Sequence, residues 1–284
     1  MTITFDQLYA RADSKAVESL KAFRQNNPLK HATIDGVDWS YITLGSGAKT
    51  IVFLHGMTGA YDIWWQQIDA LKNRYRIISV TYPAVHNLEG LCRGVIGILQ
   101  REHVEKFNVV GTSLGGYFTQ YLVAEHHDLI NRAVFANTFP PNDLIAKKNK
   151  RLGALLPFLP ESMVMSTLRK SFSQSIYPTS GNSEILLAFL MEQSYGLMSK
   201  AQFIARYHCV IDKFAAPDLK SLIIPVLIIE ADNDPLVEET LRTQLKATYP
   251  SAKVQTLHGV GHFSYVNDPQ PYTRILEEFL SNEQ

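Results

Sequence analysis

Cysteine is nearly missing from this 284-residue sequence, which holds only Cys92 and Cys209. The two stand far apart and share no metal-ligand spacing. That excludes a disulfide framework and predicts two free thiols in a reducing compartment. An excess of charge of either sign is missing as well. Lysine plus arginine and aspartate plus glutamate number 27 each, so there is no electrostatic footprint for nucleic acid or an anionic membrane surface. No apolar run is long enough to span a bilayer. The opening Met1-Thr2-Ile3-Thr4-Phe5-Asp6 lacks a basic segment followed by an apolar one, so no signal peptide is read and a cytoplasmic location is expected. There is no internal repeat, low-complexity segment, metal motif or phosphate-cradling loop, and no cofactor is implied.

What is present is organised around Gly111-Thr112-Ser113-Leu114-Gly115, with Gly116 behind. Before it, Phe107-Asn108-Val109-Val110 reads as a buried strand; after it, residues 117–124 read as a buried helix. G-x-S-x-G between strand and helix is a nucleophile elbow. The turn is too tight for side chains on either flank, and it pushes the serine oxygen out at the top of the sheet. The helix start behind it aims N–H groups and a positive dipole end at developing negative charge.

Along the chain, Phe5, Leu8, Tyr9, Val17, Leu20 and Phe23 predict one amphipathic helix over 4–24, ended by Asn26-Asn27-Pro28. It would pack on the outside of the body, or serve a partner. Asp35-Gly36 between the apolar runs 31–34 and 37–42 is a hairpin signal. Strands at 50–54, 75–80, 107–110 and 131–136 then alternate with helices at 62–71, 88–100 and 117–124. Parallel strands need such crossovers, so the fold class is α/β: a doubly wound, mostly parallel sheet with antiparallel edge strands.

From 140 to 222 the alternation stops. Helical stretches at 144–152, 161–172, 183–195 and 199–214 predict an all-helical cap inserted into the sheet domain. A strand at 225–230, a helix at 238–249, a strand at 253–257 and a helix at 271–280 complete the pattern. The expected organisation is a core of 1–139, with 1–27 its N-terminal helix, a cap of 140–222, and a second core part of 223–284. Most of the cap's Phe158, Met163, Met165, Phe172, Phe189, Met191 and Phe203 would hold its helices together. The rest would line an apolar acyl pocket.

Serine is a poor nucleophile at neutral pH and needs a base, which needs an orienting group. Functional groups in open parallel sheets gather beyond the carboxyl ends of strands. After the strand at 225–230 come Asp232-Asn233-Asp234-Pro235; after that at 253–257 come His258-Gly259-Val260-Gly261-His262. The order Ser, Asp, His is the one this elbow uses. Asp234 is favoured over Asp232 because it lies deeper in its loop and Pro235 stiffens it. His262 is favoured over His258 because two glycines let the loop swing it over Ser113. Backbone N–H groups of Leu114, just after the serine, and of Met57, in the loop after the strand at 50–54, are the expected oxyanion hole. His55 beside Gly56 reads as a structural hydrogen-bonder.

Leu54-His55-Gly56, the Ser113 elbow, Asp232-Asn233-Asp234-Pro235 and Gly261-His262-Phe263 together resemble the α/β-hydrolase superfamily over residues 30–280. Within it the chain is most similar to the maspardin-like group, through Phe23-Arg24, Pro28-Leu29-Lys30, residues 62–71, Tyr82-Pro83 and residues 113–117. That resemblance implies either of two uses. One is a serine hydrolase working through an acyl-enzyme on a small apolar carboxylic ester or related acyl compound, with no cofactor. The other is a non-catalytic binding or scaffold protein with a vestigial pocket. The maspardin pattern lacks the His-Gly pair and the histidine that this chain keeps at His55-Gly56 and His262, which favours the hydrolase.

Overall fold

The computed structural model describes residues 3–281, apart from the side chains of Asn149 and Leu152. Met1-Thr2, part of the signal-peptide reading, and the last three residues of the second core part lie outside the described residues.

The sheet has eight strands in the order β1-β2-β4-β3-β5-β6-β7-β8. They are β1 Lys30–Ile34, β2 Val37–Leu44, β3 Lys49–Leu54, β4 Tyr75–Thr81, β5 Phe107–Thr112, β6 Ile130–Ala136, β7 Val226–Ala231 and β8 Lys253–Leu257. β1 and β2 pair antiparallel, as does β2 with β4; every later pairing is parallel. The β1–β2 turn is Asp35-Gly36, both at positive φ (51° and 76°), the backbone twist that a two-residue hairpin demands. The strands at the centre have no solvent face. β5 and β7 are buried at every position, which explains why they read as continuous apolar runs rather than alternating ones.

The helices are α1 Phe5–Leu8, α2 Ser14–Asn26, α3 Trp65–Leu71, α4 Leu88–Arg101, α5 Leu114–His126, α6 Leu144–Leu155, α7 Glu161–Ser171, α8 Tyr177–Thr179, α9 Glu184–Glu192, α10 Lys200–Ile211, α11 Leu219–Leu222, α12 Glu239–Thr248, α13 Ser264–Asn267 and α14 Pro269–Ser281. Leu91, Val95, Phe118, Leu122, Leu241 and Leu245 pack one face of the sheet. Trp65, Ile68, Tyr272, Leu276 and Phe279 pack the other. This is the doubly wound α/β sheet, with an all-helical insertion between β6 and β7. Among the described residues no helix is long and apolar enough to cross a membrane.

Three expectations need correction. The helix over 4–24 is two helices. Thr4 and Gln7 close a capping box around a single turn, and the chain restarts only where the Asp13 carboxylate accepts from Ala16 N–H at 3.0 Å. The packing of the two helices on the body is anchored by one arginine. Arg24 donates to Asp62 in the core (2.7 Å) and with both outer nitrogens to Glu192 in the insertion (3.0 and 2.8 Å). The helix over 62–71 begins only at Trp65, because Asp62 belongs to the turns before it and is committed to Arg24. Lastly, Phe158 and Met163 neither hold the insertion together nor line a pocket; they are 84% and 52% exposed.

Candidate active site

β5 runs into α5 with Ser113 at the corner, at φ 55° and ψ −118°. A non-glycine residue at positive φ is strained, and it persists here because the surroundings over-determine it. Ser113 N–H donates to Ala136 O (2.9 Å), and its carbonyl accepts from Tyr117 N–H (2.9 Å) and the Thr138 hydroxyl (2.7 Å). The flanking glycines are obligatory. A Cβ on Gly111 would sit 2.1 Å from Gly115 O, and one on Gly115 would sit 2.2 Å from Leu54 O. Gly56 closes in from the β3 loop, where a Cβ would lie 3.2 Å from that of Ser113. The loop carrying Met57 is thereby brought against the serine. Leu114 is the first residue of α5, so its N–H is one of the helix's four without an intrahelical partner.

Two Asp–His pairs form beyond β7 and β8. His262 Nδ1 lies 2.8 and 3.0 Å from the Asp234 carboxylate oxygens, and His258 Nδ1 lies 2.8 Å from Asp232. Distance does not separate them, but burial does. The side chains of His262 and Asp234 are 3% and 0% exposed, those of His258 and Asp232 79% and 47%. A solvent-exposed contact of that kind contributes little. His262, Ser113 and Met57 line one cavity of about 660 Å³, which neither Asp232 nor His258 reaches. The cavity wall is mostly apolar, from Phe139, Leu236 and Leu241 of the core and Leu156, Phe172 and Phe203 of the insertion. Beyond α7 the chain widens into a π-helical turn over Phe172–Ile176. This turn brings both end residues to the cavity.

Asp234 is fixed from every side. Oδ1 accepts from Leu236 N–H (2.8 Å) and Val237 N–H (3.0 Å), and Oδ2 accepts from the Asn137 amide (3.0 Å). Asn137 in turn accepts from the Ser264 hydroxyl (3.0 Å), beside the His262 loop. Asn233 works on the same loops: it accepts from Gly261 N–H (2.8 Å) and donates to Thr179 O of the insertion (2.8 Å). Neither asparagine was singled out from the sequence. The signal for Asn137 is its place directly beyond β6, the position that singled out the acid and the base after β7 and β8. His55 is wholly buried, with Nε2 accepting from Tyr82 N–H (3.1 Å) and Nδ1 donating to Gly56 O (2.6 Å). Burial and the nearby Arg206 charge hold it far below the ordinary histidine pKa. It is a neutral structural group.

Burial alone would raise the Asp234 carboxyl, but the His262 charge and the hydrogen bonds from His262, Asn137 and Leu236 outweigh it and leave the pKa lowered. A folded-state value below the unfolded one (about 3.9) stabilises the protein above that pH, and the stabilisation disappears as the pH falls through the lower folded value. In urea denaturation, the stability gap between the wild type and Asp234→Asn is therefore expected to narrow between pH 7 and pH 3. A gap that stays constant would mean that this ionisation is not linked to folding.

A family model described as "Alpha/beta hydrolase family" matches residues 51–277. Among curated proteins, the chain is 23% identical over 252 residues to maspardin of Danio rerio, covering 86% of this chain and 79% of that one. It is also 23% identical over 245 residues to the esterase YbfF of Escherichia coli, covering 82% and 93%. Among solved structures, the enol-lactonase from Burkholderia xenovorans superposes with a TM-score of 0.77 at 17% identity, covering 89% of this chain and all of that one.

Proposed function

This chain belongs to the alpha/beta hydrolase family, and from that premise we propose that it is a serine hydrolase acting on a small, apolar carboxylic ester or related acyl compound. The observation that carries the reading is the buried His262–Asp234 pair, whose histidine lines the same cavity that Ser113 enters from its strained turn. An esterase and an enol-lactonase among the similar proteins support ester-type chemistry.

In this mechanism Ser113 Oγ attacks the acyl carbonyl while its proton passes to His262 Nε2. Asp234 accepts from Nδ1–H, which keeps Nε2 free as the base and stabilises the imidazolium. Met57 N–H and Leu114 N–H hold the tetrahedral oxyanion. His262 then returns the proton to the leaving oxygen, and an acyl-enzyme remains. Water, losing its proton to His262, attacks the acyl carbon and releases the acid and Ser113. The insertion over 140–222 acts as a cap, with Phe172, Leu156 and Phe203 enclosing the acyl chain. The cytoplasm is the proposed location.

The test is labelling by a small fluorophosphonate, which reacts with a serine only where a base takes its proton and an oxyanion hole holds the charge. One equivalent on Ser113 is expected in the wild type, and none in His262→Ala. The similarity to maspardin favours a second reading, a non-catalytic binding protein with a vestigial pocket. That reading predicts no labelling and no ester turnover from well-folded protein.

A further inference from the structure

Helix α10 of the insertion carries a cation into the core. Arg206 is 1% exposed, and among the described residues it forms no ion pair. Nη1 donates to Met57 O (2.8 Å), Gly59 O (3.1 Å) and Met198 Sδ (3.3 Å), and Nη2 donates to Tyr82 O (3.0 Å). Nε is buried without a hydrogen-bond partner. Burial pushes the guanidinium down to about 10, which still leaves it charged at neutral pH. A buried charge without a counter-ion is costly, and an apolar side chain of similar length would fill the space without that cost. Packing therefore does not account for arginine here.

Its partners do. Met57 and Gly59 belong to the loop whose Met57 N–H is the assigned oxyanion donor, and the third carbonyl leads to the same place. Tyr82 N–H is held by His55, and His55 Nδ1–H donates to Gly56 O, the carbonyl of the peptide that carries Met57 N–H. Donation to a carbonyl polarises its peptide and strengthens the N–H on the other side. Arg206 thus grips the loop on one side of Met57, and through Tyr82 and His55 the peptide on its other side.

We propose that Arg206 is a positioning residue for acyl transfer: it fixes the oxyanion loop and sets one buried positive charge behind the place where negative charge develops. The inference rests on the serine-hydrolase reading above. Three carbonyl dipoles satisfy part of the guanidinium's demand for negative charge, and the transition state supplies more, so the interaction is stronger there than in the ground state. It follows that the cap does more than enclose the acyl chain. The hole is complete only while α10 is seated on the core.

The experiment uses the whole protein with Arg206→Gln, Arg206→Lys and Gln202→Ala. Gln202 also reaches from α10 to Tyr82 O (3.1 Å) but carries no charge. Thermal melts establish folding. kcat and KM on a p-nitrophenyl ester are measured separately, together with inhibition by a trifluoromethyl ketone, whose adduct with Ser113 carries an oxyanion. For Arg206→Gln, kcat is expected to fall roughly 10–100-fold with KM nearly unchanged, and the ketone to weaken by the same factor. Arg206→Lys, which keeps the charge but loses the fork, should fall between, and Gln202→Ala should stay within about twofold of the wild type. A folded Arg206→Gln with wild-type kcat overturns the proposal. So does an equal loss in Gln202→Ala, or a kcat loss with unchanged ketone affinity. Should the glutamine variant fail to fold, a folded Arg206→Lys with unchanged kcat and inhibition overturns it. A wild type without turnover overturns the hydrolase reading and this inference with it, whereas an active wild type leaves the variants to judge Arg206 alone.

Discussion

Ser113→Ala is expected to lower ester turnover by about 10⁶-fold, the scale on which a serine hydrolase loses its nucleophile, with the fold intact. The fold survives because what holds residue 113 in place is main chain. Its N–H bonds Ala136 O, and its carbonyl takes Tyr117 N–H and the Thr138 hydroxyl. Alanine keeps all three. It also meets the same positive φ with the same Cβ, so no new strain is added. The measurement is turnover of a short p-nitrophenyl ester alongside a thermal melt. A second serine, Ser171, lines the same cavity from the end of α7. It lies in an ordinary helix and faces no equivalent of the elbow, so Ser171→Ala should leave turnover within a few-fold. If Ser113→Ala kept even a hundredth of the activity while Ser171→Ala lost it, the nucleophile would be the helical serine.

The parts of this site that were legible in the sequence are those fixed by short-range geometry. The elbow needs glycine where a Cβ would strike the neighbouring backbone. Gly111 and Gly115 therefore announce the turn, with Ser113 inside it. Asp35-Gly36 announces the hairpin because both residues take positive φ. The two Asp–His pairs show where local reading thins out. Asp232 and His258 are 26 residues apart, Asp234 and His262 28 apart. Spacing alone cannot rank such pairs; Pro235 and the two glycines before His262 give a preference, and in the folded chain burial separates one pair from water and leaves the other in it. Beyond that range the sequence is mute. Arg206 meets the Met57 carbonyl across 149 residues of chain, and Tyr9 meets Glu192 across 183. On α10 the arginine looks like any helical cation, since nothing local tells a buried guanidinium from a solvated one.

Asp234→Asn is expected to cost roughly 10⁴-fold in turnover, the loss seen when a triad aspartate becomes an amide. The hydrogen bonds explain why the change is not conservative. Every group facing this carboxylate is a donor: Leu236 N–H and Val237 N–H on Oδ1, Asn137 Nδ2–H and His262 Nδ1–H on Oδ2. An amide presents one oxygen and one NH₂. Set its NH₂ toward the asparagine and the histidine, and His262 must move its proton to Nε2 to accept at Nδ1. Nε2 then no longer takes the serine proton. Set it the other way, and the NH₂ meets two backbone N–H groups, in a pocket where unmet donors cost about 1–3 kcal/mol each. The first arrangement is the cheaper, so the expected defect is a wrong tautomer in a folded protein: a low kcat, a nearly unchanged KM and a lost fluorophosphonate reaction. Asp232→Asn is the control. Its carboxylate faces His258 and Gly259 N–H at the surface, and water replaces whatever the amide cannot offer, so turnover should stay within about threefold. If Asp232→Asn proves the more damaging of the two, the orienting acid is the exposed one, and His262 as the base goes with it.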